Sequence, residues 1–150
     1  MTIWIDADAC PAAIREIALR ASRRTGIPVI LVANRDQPEP KAPQASTVRV
    51  APGADVADNY IAQHLESGDL VVTADLPLAA DVVDNGGTAL SPRGEHYTAE
   101  SVRQQLSMRD FMDQMRGAGL AGGGPAPQHN RDRQAFANAL DRWLAQNGLG

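Results

Sequence analysis

The chain has 150 residues, 43% hydrophobic and 21% charged, enough for one domain with a substantial core and ordinary for a globular protein. A formal net charge of −4 excludes a protein that coats nucleic acid by bulk electrostatics. One cysteine excludes an internal disulfide and any multi-cysteine zinc site, and neither a signal peptide nor a long apolar run stands out, so a reducing, cytoplasmic setting without a membrane span is expected.

Thr2 to Ile5 is a short, apolar, β-prone run, the pattern of a strand buried on both faces. Asp6 and Asp8 follow where that strand should end. Pro11 suits the first position of a helix, where its missing N–H has no partner to lose, and this makes Cys10 the expected N-cap. The order is strand, acidic turn, helix. Ligands of open α/β sheets bind beyond the carboxyl ends of the strands, which is where this turn falls. If the strand reaches Asp8, both carboxylates project to the same side. They repel each other unless a shared proton or a cation relieves them. A hard divalent ion such as Mg²⁺ or Mn²⁺, which takes oxygen ligands, is the economical explanation.

Helical periodicity runs from Pro11 to about Thr25, with Ile14, Ile17, Ala18 and Ala21 on one face and Gly26 as the stop. Pro28–Ala33 is a second buried strand. Asn34 to Ser46 holds three prolines and little apolar content, a loop and candidate flap, and Thr47–Val50 is a short third strand. From Ala54 to Glu66 the period is helical again, with Val56, Tyr60, Ile61 and Leu65 inward. Asp55 and Asp58, spaced i and i+3, share the opposite face. Gly68-Asp69 turns into the strand Leu70–Thr73. That strand delivers Asp75 to the start of a helix that runs to about Val83; Asp81 and Asp84, further along it, read as solvated, with Asp81 an outer-ligand candidate. Thr88–Leu90 is the last short strand. Helices follow from Thr98 to about Met115 and from Asn130 to about Gln146, separated by a Gly/Pro-rich loop.

Strands alternating with helices predict an α/β fold: a parallel sheet with right-handed crossovers and helices on both faces. One domain over 1–150 is expected, with a helical extension from about residue 98. A five-stranded sheet in which strands one and four are neighbours would bring Asp6, Asp58 and Asp75 into one cleft. Each acid also has a plainer role. Asp55 complements a helix dipole and Asp75 caps a helix.

Charge is uneven along the chain. Residues 1–90 carry 7 basic and 12 acidic groups, a balance of −5, and residues 91–150 carry 7 and 6, a balance of +1. Arg93-Gly94 follows the last strand and so projects from the same sheet end, a candidate phosphate contact. Gly123 and Gly124, followed by Arg131 and Arg133 at a helix start, have the ingredients of an anion site, with a flexible connector as the plainer role. His64, His96 and His129 share no metal-binding spacing. Cys10 is drawn down by a helix N-terminus and pushed up by neighbouring carboxylates, which argues against a nucleophile.

The segments Ile5-Asp-Ala-Asp-Ala-Cys-Pro11, Gly53-Ala-Asp-Val-Ala-Asp58, Gly68-Asp-Leu-Val-Val-Thr-Ala-Asp-Leu-Pro-Leu-Ala79, Pro92-Arg-Gly-Glu-His-Tyr-Thr98 and Gly123-Gly-Pro125 with Asp132-Arg133 resemble the YaiI/YqxD family, in its order and across nearly the whole chain. Gln128-His129 depart from that family, which usually has an apolar residue followed by Ser or Thr there. The family in turn resembles PIN/NYN-like nuclease domains. That resemblance implies a three-layer PIN-like fold and Mg²⁺ or Mn²⁺ held by Asp6, Asp8, Asp58 (or Asp55) and Asp75. The chemistry implied is metal-dependent phosphodiester hydrolysis, on RNA in first place, otherwise on DNA or a nucleotide phosphate. Two alternatives stay open. One is a non-catalytic nucleotide- or RNA-binding module of the same fold. The other is a haloacid-dehalogenase-like phosphatase, which needs a lysine near the phosphate; the chain's one lysine is Lys41, in the Pro-rich loop.

Overall fold

Residues 1–53, 55–117 and 130–149 are described by the computed structural model of the chain. β1 (Ile3–Asp6) is the central strand because Ile3, Trp4 and Ile5 are apolar on both faces and all three are buried. It pairs in parallel with β2 (Val29–Ala33) on one side and β4 (Leu70–Val72) on the other, so Ile5 stands opposite both Leu31 and Val72. Beyond β2 lies β3 (Ala45–Arg49), and beyond β4 lies β5 (Thr88–Leu90), both parallel.

A sixth strand, β6 (His96–Tyr97), runs antiparallel to β5, so the sheet order is β3-β2-β1-β4-β5-β6. This corrects the expected five strands to six, and the added edge is too short to show a period in sequence. The expected adjacency of strands one and four is present. The order in which the chain adds strands reverses across that parallel pair, which makes the crevice at the carboxyl ends of β1 and β4 the topological switch point.

Alternation along the strands sorts the two helical layers. Ile3 and Ile5 face α1 (Ala12–Thr25) and α5 (Asn130–Gln146), packing with Ile14, Ala18, Phe136, Leu140 and Leu144. Trp4, Val32 and Val71 face α2 (Val56–His64), α3 (Leu76–Asp84) and α4 (Ala99–Gly117), packing with Ile61, Leu78, Val82 and Val102. The three-layer α/β arrangement is therefore the one expected. Among the described residues no helix is long and apolar enough to cross a membrane.

Three local departures have physical causes. α1 begins at Ala12, not Pro11; Pro11 is its extended N-cap, and its carbonyl accepts the N–H groups of Ile14 and Arg15, so Cys10 is not the cap. β3 starts at Ala45, inside the stretch read as loop. As an edge strand with Ser46 and Thr47 exposed, it needs no apolar alternation. The Pro-rich stretch itself is strapped to α1: Arg15 Nη1 donates to Gln37 Oε1 at 2.7 Å, Arg23 Nη1 donates to the Lys41 carbonyl at 2.8 Å, and Ala42 is buried. A free flap does not fit those ties.

At the amino edge of the sheet, Asp69 does more than turn the chain. Its buried carboxylate accepts the Thr2 N–H at 3.0 Å, Trp4 Nε1–H at 3.0 Å and the Glu66 N–H at 2.9 Å, joining the start of β1 to the start of β4. α5 runs from the carboxyl edge to this one. Its Ala135 lies against Gly94, beyond β5, and its Asp141 pairs with Arg24 in the last turn of α1. The first turn of α5 therefore shares an edge with Asp6 and Asp75.

Candidate metal centre

β1 ends on Asp6, and Ala7 to Cys10 is a turn in which Ala9 N–H donates to the Asp6 carbonyl. Because the strand stops there, the two-residue alternation does not extend to Asp8. Asp6 continues on the Trp4 side, towards α2 and α3. Asp8 reaches the end of β2 instead: its Oδ2 accepts the Asn34 N–H at 2.6 Å, while its Oδ1 is buried with no hydrogen-bond donor among the described residues. An ionised oxygen in that state is costly unless something positive meets it.

Asp75 follows β4. Its Oδ1 caps α3 by accepting the Leu78 N–H at 2.8 Å, and its own N–H donates to the Thr73 hydroxyl at 3.0 Å. The capping role is thus real, and it uses one carboxylate oxygen. Asp58 enters from the first turn of α2. One carboxylate oxygen each from Asp55, Asp58 and Asp75 lie within 4.8 Å of one another. Two ligands on opposite sides of a Mg²⁺ ion stand about 4.2 Å apart, so these three are close to the spacing of one coordination shell. The Asp58 carboxyl also stands within electrostatic reach of both Asp6 and Asp75, which brings the expected Asp6–Asp58–Asp75 cleft together.

The electrostatics follow from that crowding. Burial, then the charges of Asp75 and Asp6, push the Asp58 carboxyl from its ordinary 3.8 up to about 7. Asp6 is also raised, chiefly by burial. The Asp58 hydrogen bond pulls it back, and Asp8 and Asp75 push it up. A proton held between Asp6 and Asp58 relieves this crowding, as a divalent cation would. Cys10, beside this group, has its thiol pushed up to about 12, mainly by burial, which removes it as a nucleophile near neutral pH.

Asp55 is exposed and left-handed, at φ 65° and ψ 6°, the one non-glycine with positive φ among the described residues. Its side chain caps nothing; the conformation aims a carboxylate at Asp58 and Asp75 instead. Asp55→Gly should raise the metal-free stability by about 1 kcal/mol, the cost of a left-handed Cβ that glycine does not have, whereas Asp55→Ala keeps a Cβ there and should not gain that increment. Both should weaken Mn²⁺ binding in calorimetric titration. Equal metal-free stability in the two variants would contradict the strain.

The other expected contacts divide. Arg93 is exposed in the turn after β5, where its N–H donates to Ser91 Oγ at 3.1 Å. Gly94 has a packing reason to be glycine, since a Cβ there would meet the Ala135 carbonyl carbon at 2.5 Å. Arg131 and Arg133 are exposed on the first turn of α5, at the carboxyl edge. Gly123, Gly124 and the Gln128-His129 departure lie outside the described residues. Asp81 and Asp84 are exposed. One wall residue went unread: Tyr97 of β6 is buried, and its phenol is pushed up by burial, then by Glu95 and Asp75, so it stands within electrostatic reach of Asp75. Its place in the Pro92–Thr98 motif was the available signal.

The model of the family described as "Uncharacterized BCR, YaiI/YqxD family" matches residues 4–146, and the chain belongs to that family. A UPF0178 protein from Pectobacterium atrosepticum is 56% identical over 146 residues, covering 97% of each chain. A UPF0178 protein from Yersinia pestis is 56% identical over 146 residues, covering 97% of this chain and 96% of its own. Among solved structures, Rae1 (YacP) from Bacillus subtilis overlays with a TM-score of 0.41 at 13% identity, covering 99% of both chains.

Proposed function

We propose that this member of the YaiI/YqxD family is a metal-dependent phosphodiesterase acting on nucleic acid, RNA in first place. The observation that carries the reading is the meeting of Asp6, Asp58 and Asp75 at the switch point of the sheet, with Asp55 within 4.8 Å of the last two. The residues suit a hard divalent cation. They are all oxygen donors, they crowd enough to hold a proton that a cation would replace, and Asp8 adds a buried oxygen without a donor among the described residues. Asp6, Asp8, Asp55, Asp58 and Asp75 would hold Mg²⁺ or Mn²⁺. When bound, such an ion supplies Lewis-acid polarisation of a phosphoryl oxygen and acidifies an attacking water.

The chain's own groups do the rest. The Leu78 N–H and the Thr73 hydroxyl hold Asp75 and its backbone in place, and the Asn34 N–H holds Asp8. In the metal-free chain the Asp58 carboxyl is raised to about 7 by burial and by Asp75 and Asp6, so a bound cation would displace its proton and leave it as an oxygen ligand. Arg93, Arg131 and Arg133, at the same edge, supply guanidinium groups suited to a phosphate. The position of Lys41 counts against the phosphatase alternative. Its carbonyl is bonded to Arg23, in the last turn of α1, at the opposite end of the sheet from Asp6.

Single-stranded RNA incubated with Mn²⁺ and the protein tests the reading. Cleavage should require the metal and should vanish in Asp6→Asn and Asp75→Asn. A wild-type protein that binds no Mn²⁺ overturns it, and RNA bound without metal and left intact favours the non-catalytic module.

A further inference from the structure

The arginines already considered all lie on the β5 side of the acidic cluster. The β2 side carries its own pair. Asn34, whose N–H is bonded to Asp8 Oδ2 at 2.6 Å, is followed directly by Arg35, which is exposed and has no ion-pair partner among the described residues. Arg15, in the first turns of α1, just past the acidic turn, places Nη1 2.7 Å from Gln37 Oε1 and so lies over the same loop. Arg49 ends the neighbouring strand β3 but is paired with Asp36.

We infer that Arg15 and Arg35 form a second phosphate-binding wing, so that a single RNA strand lies across the ends of the strands with backbone phosphates held on both sides of the acidic centre. This rests on the nucleic-acid reading above and adds to it: a ligand engaged on both wings is an internal stretch of chain, not a terminus. The spacing suits it. β2 lies about 5 Å from β1, and phosphates of a stacked strand advance by roughly 3.4 Å. A strand leaving the acidic centre therefore presents its next one or two phosphates to the β2 loop. The charges suit it too, because a polyanion approaching five clustered aspartates needs cations on each flank. A purely structural role for Arg15, tying down the Pro-rich loop, accounts for the Gln37 bond but leaves Arg35 unexplained.

Anisotropy titrations of a fluorescent single-stranded decanucleotide and a dinucleotide, with Ca²⁺ present, test the wing. The double variant Arg15→Ala/Arg35→Ala should bind the decanucleotide about tenfold more weakly or worse. Its log–log salt slope should be shallower by about 1.4, two phosphates at roughly 0.7 each. Dinucleotide and Mn²⁺ binding should be unchanged. Arg15→Lys/Arg35→Lys should restore the slope, and Gln37→Ala, which cuts the loop tie but keeps both charges, should bind like the wild type. If wild type and double variant bind the decanucleotide with equal affinity and slope, the wing is wrong and the nucleic-acid reading stands. An equal loss in Gln37→Ala also overturns the wing. If the wild type binds neither oligonucleotide, the nucleic-acid reading itself fails.

Discussion

Asp58→Asn should reduce Mn²⁺ affinity by more than about 100-fold, since the loss of even an outer-shell partner costs 10–100-fold, and should raise the melting temperature of the metal-free protein near pH 8. Both effects come from one carboxyl. In the folded, metal-free chain Asp58 keeps its proton up to about 7, whereas the unfolded chain releases it near 3.8. Between those values the folded state binds more protons than the unfolded one. The stability linked to Asp58 is therefore complete below the lower value and lost as pH rises through the upper one. Asparagine cannot ionise, so the variant should hold its melting temperature over the range in which the wild type declines.

Mn²⁺ affinity has the opposite slope. Cation binding must displace the Asp58 proton, so wild-type affinity should climb about tenfold per pH unit below neutrality and level off above it. Asp75→Asn should also lose the metal and still fold, because asparagine can accept the Leu78 N–H as aspartate does. Thermal melts from about pH 5 to about pH 8, with and without Mn²⁺, separate these outcomes. A variant at Asp58 that melts lower near pH 8, or that keeps its Mn²⁺-dependent shift, would sink the shared-proton account.

The parts of this site that could be read from sequence are those set by local pattern. The apolar run Thr2–Ile5 placed Asp6 at a strand end, and the run Leu70–Thr73 delivered Asp75 to a cap. The helical period placed Asp58 in the first turn of α2, but α2 starts only at Val56, so Asp55 reaches Asp58 from a left-handed cap and not from a shared helical face. What escaped depends on pairings distant in sequence. Asp8 leaves the strand's alternation for Asn34, 26 positions away. Asp69 looks like a turn aspartate until Trp4 Nε1, 65 positions away, is found donating to it. Arg15 and Arg23 convert a proline-rich loop into a strapped one through bonds that no periodicity encodes. Gly94 is the clearest case. Next to an arginine it reads as room for a phosphate, and the chain uses that room for a helix.

Gly94→Ala should be among the most destabilising single-methyl changes in this protein. Gly94 has φ 85°, where a Cβ costs about 1–2 kcal/mol on its own. The added carbon would also stand 2.5 Å from the Ala135 carbonyl carbon and 2.7 Å from both its oxygen and the Phe136 nitrogen. All three are backbone atoms of α5, so no side chain can swing aside and the helix itself must shift. Overpacking of this kind costs about 1–3 kcal/mol, for a total of roughly 2–5 kcal/mol against a typical domain stability of about 5–15. The shift is resisted by Phe136, Leu140, Trp143 and Leu144, which bury α5 against Ile3, Ile5 and Ile14. Gly26→Ala is the matched control: φ there is 76°, but nothing lies within 4 Å of the new Cβ, so only the conformational cost applies. Urea midpoints for the two variants should differ by the clash alone. Because α5 carries Arg131 and Arg133 while β1, α2 and the start of α3 carry the carboxylates, Gly94→Ala should weaken RNA binding and leave Mn²⁺ affinity in place. Equal losses of stability in the two alanine variants would mean that α5 does not seat on Gly94, and the placement of its first turn at the carboxyl edge of the sheet would fall with it.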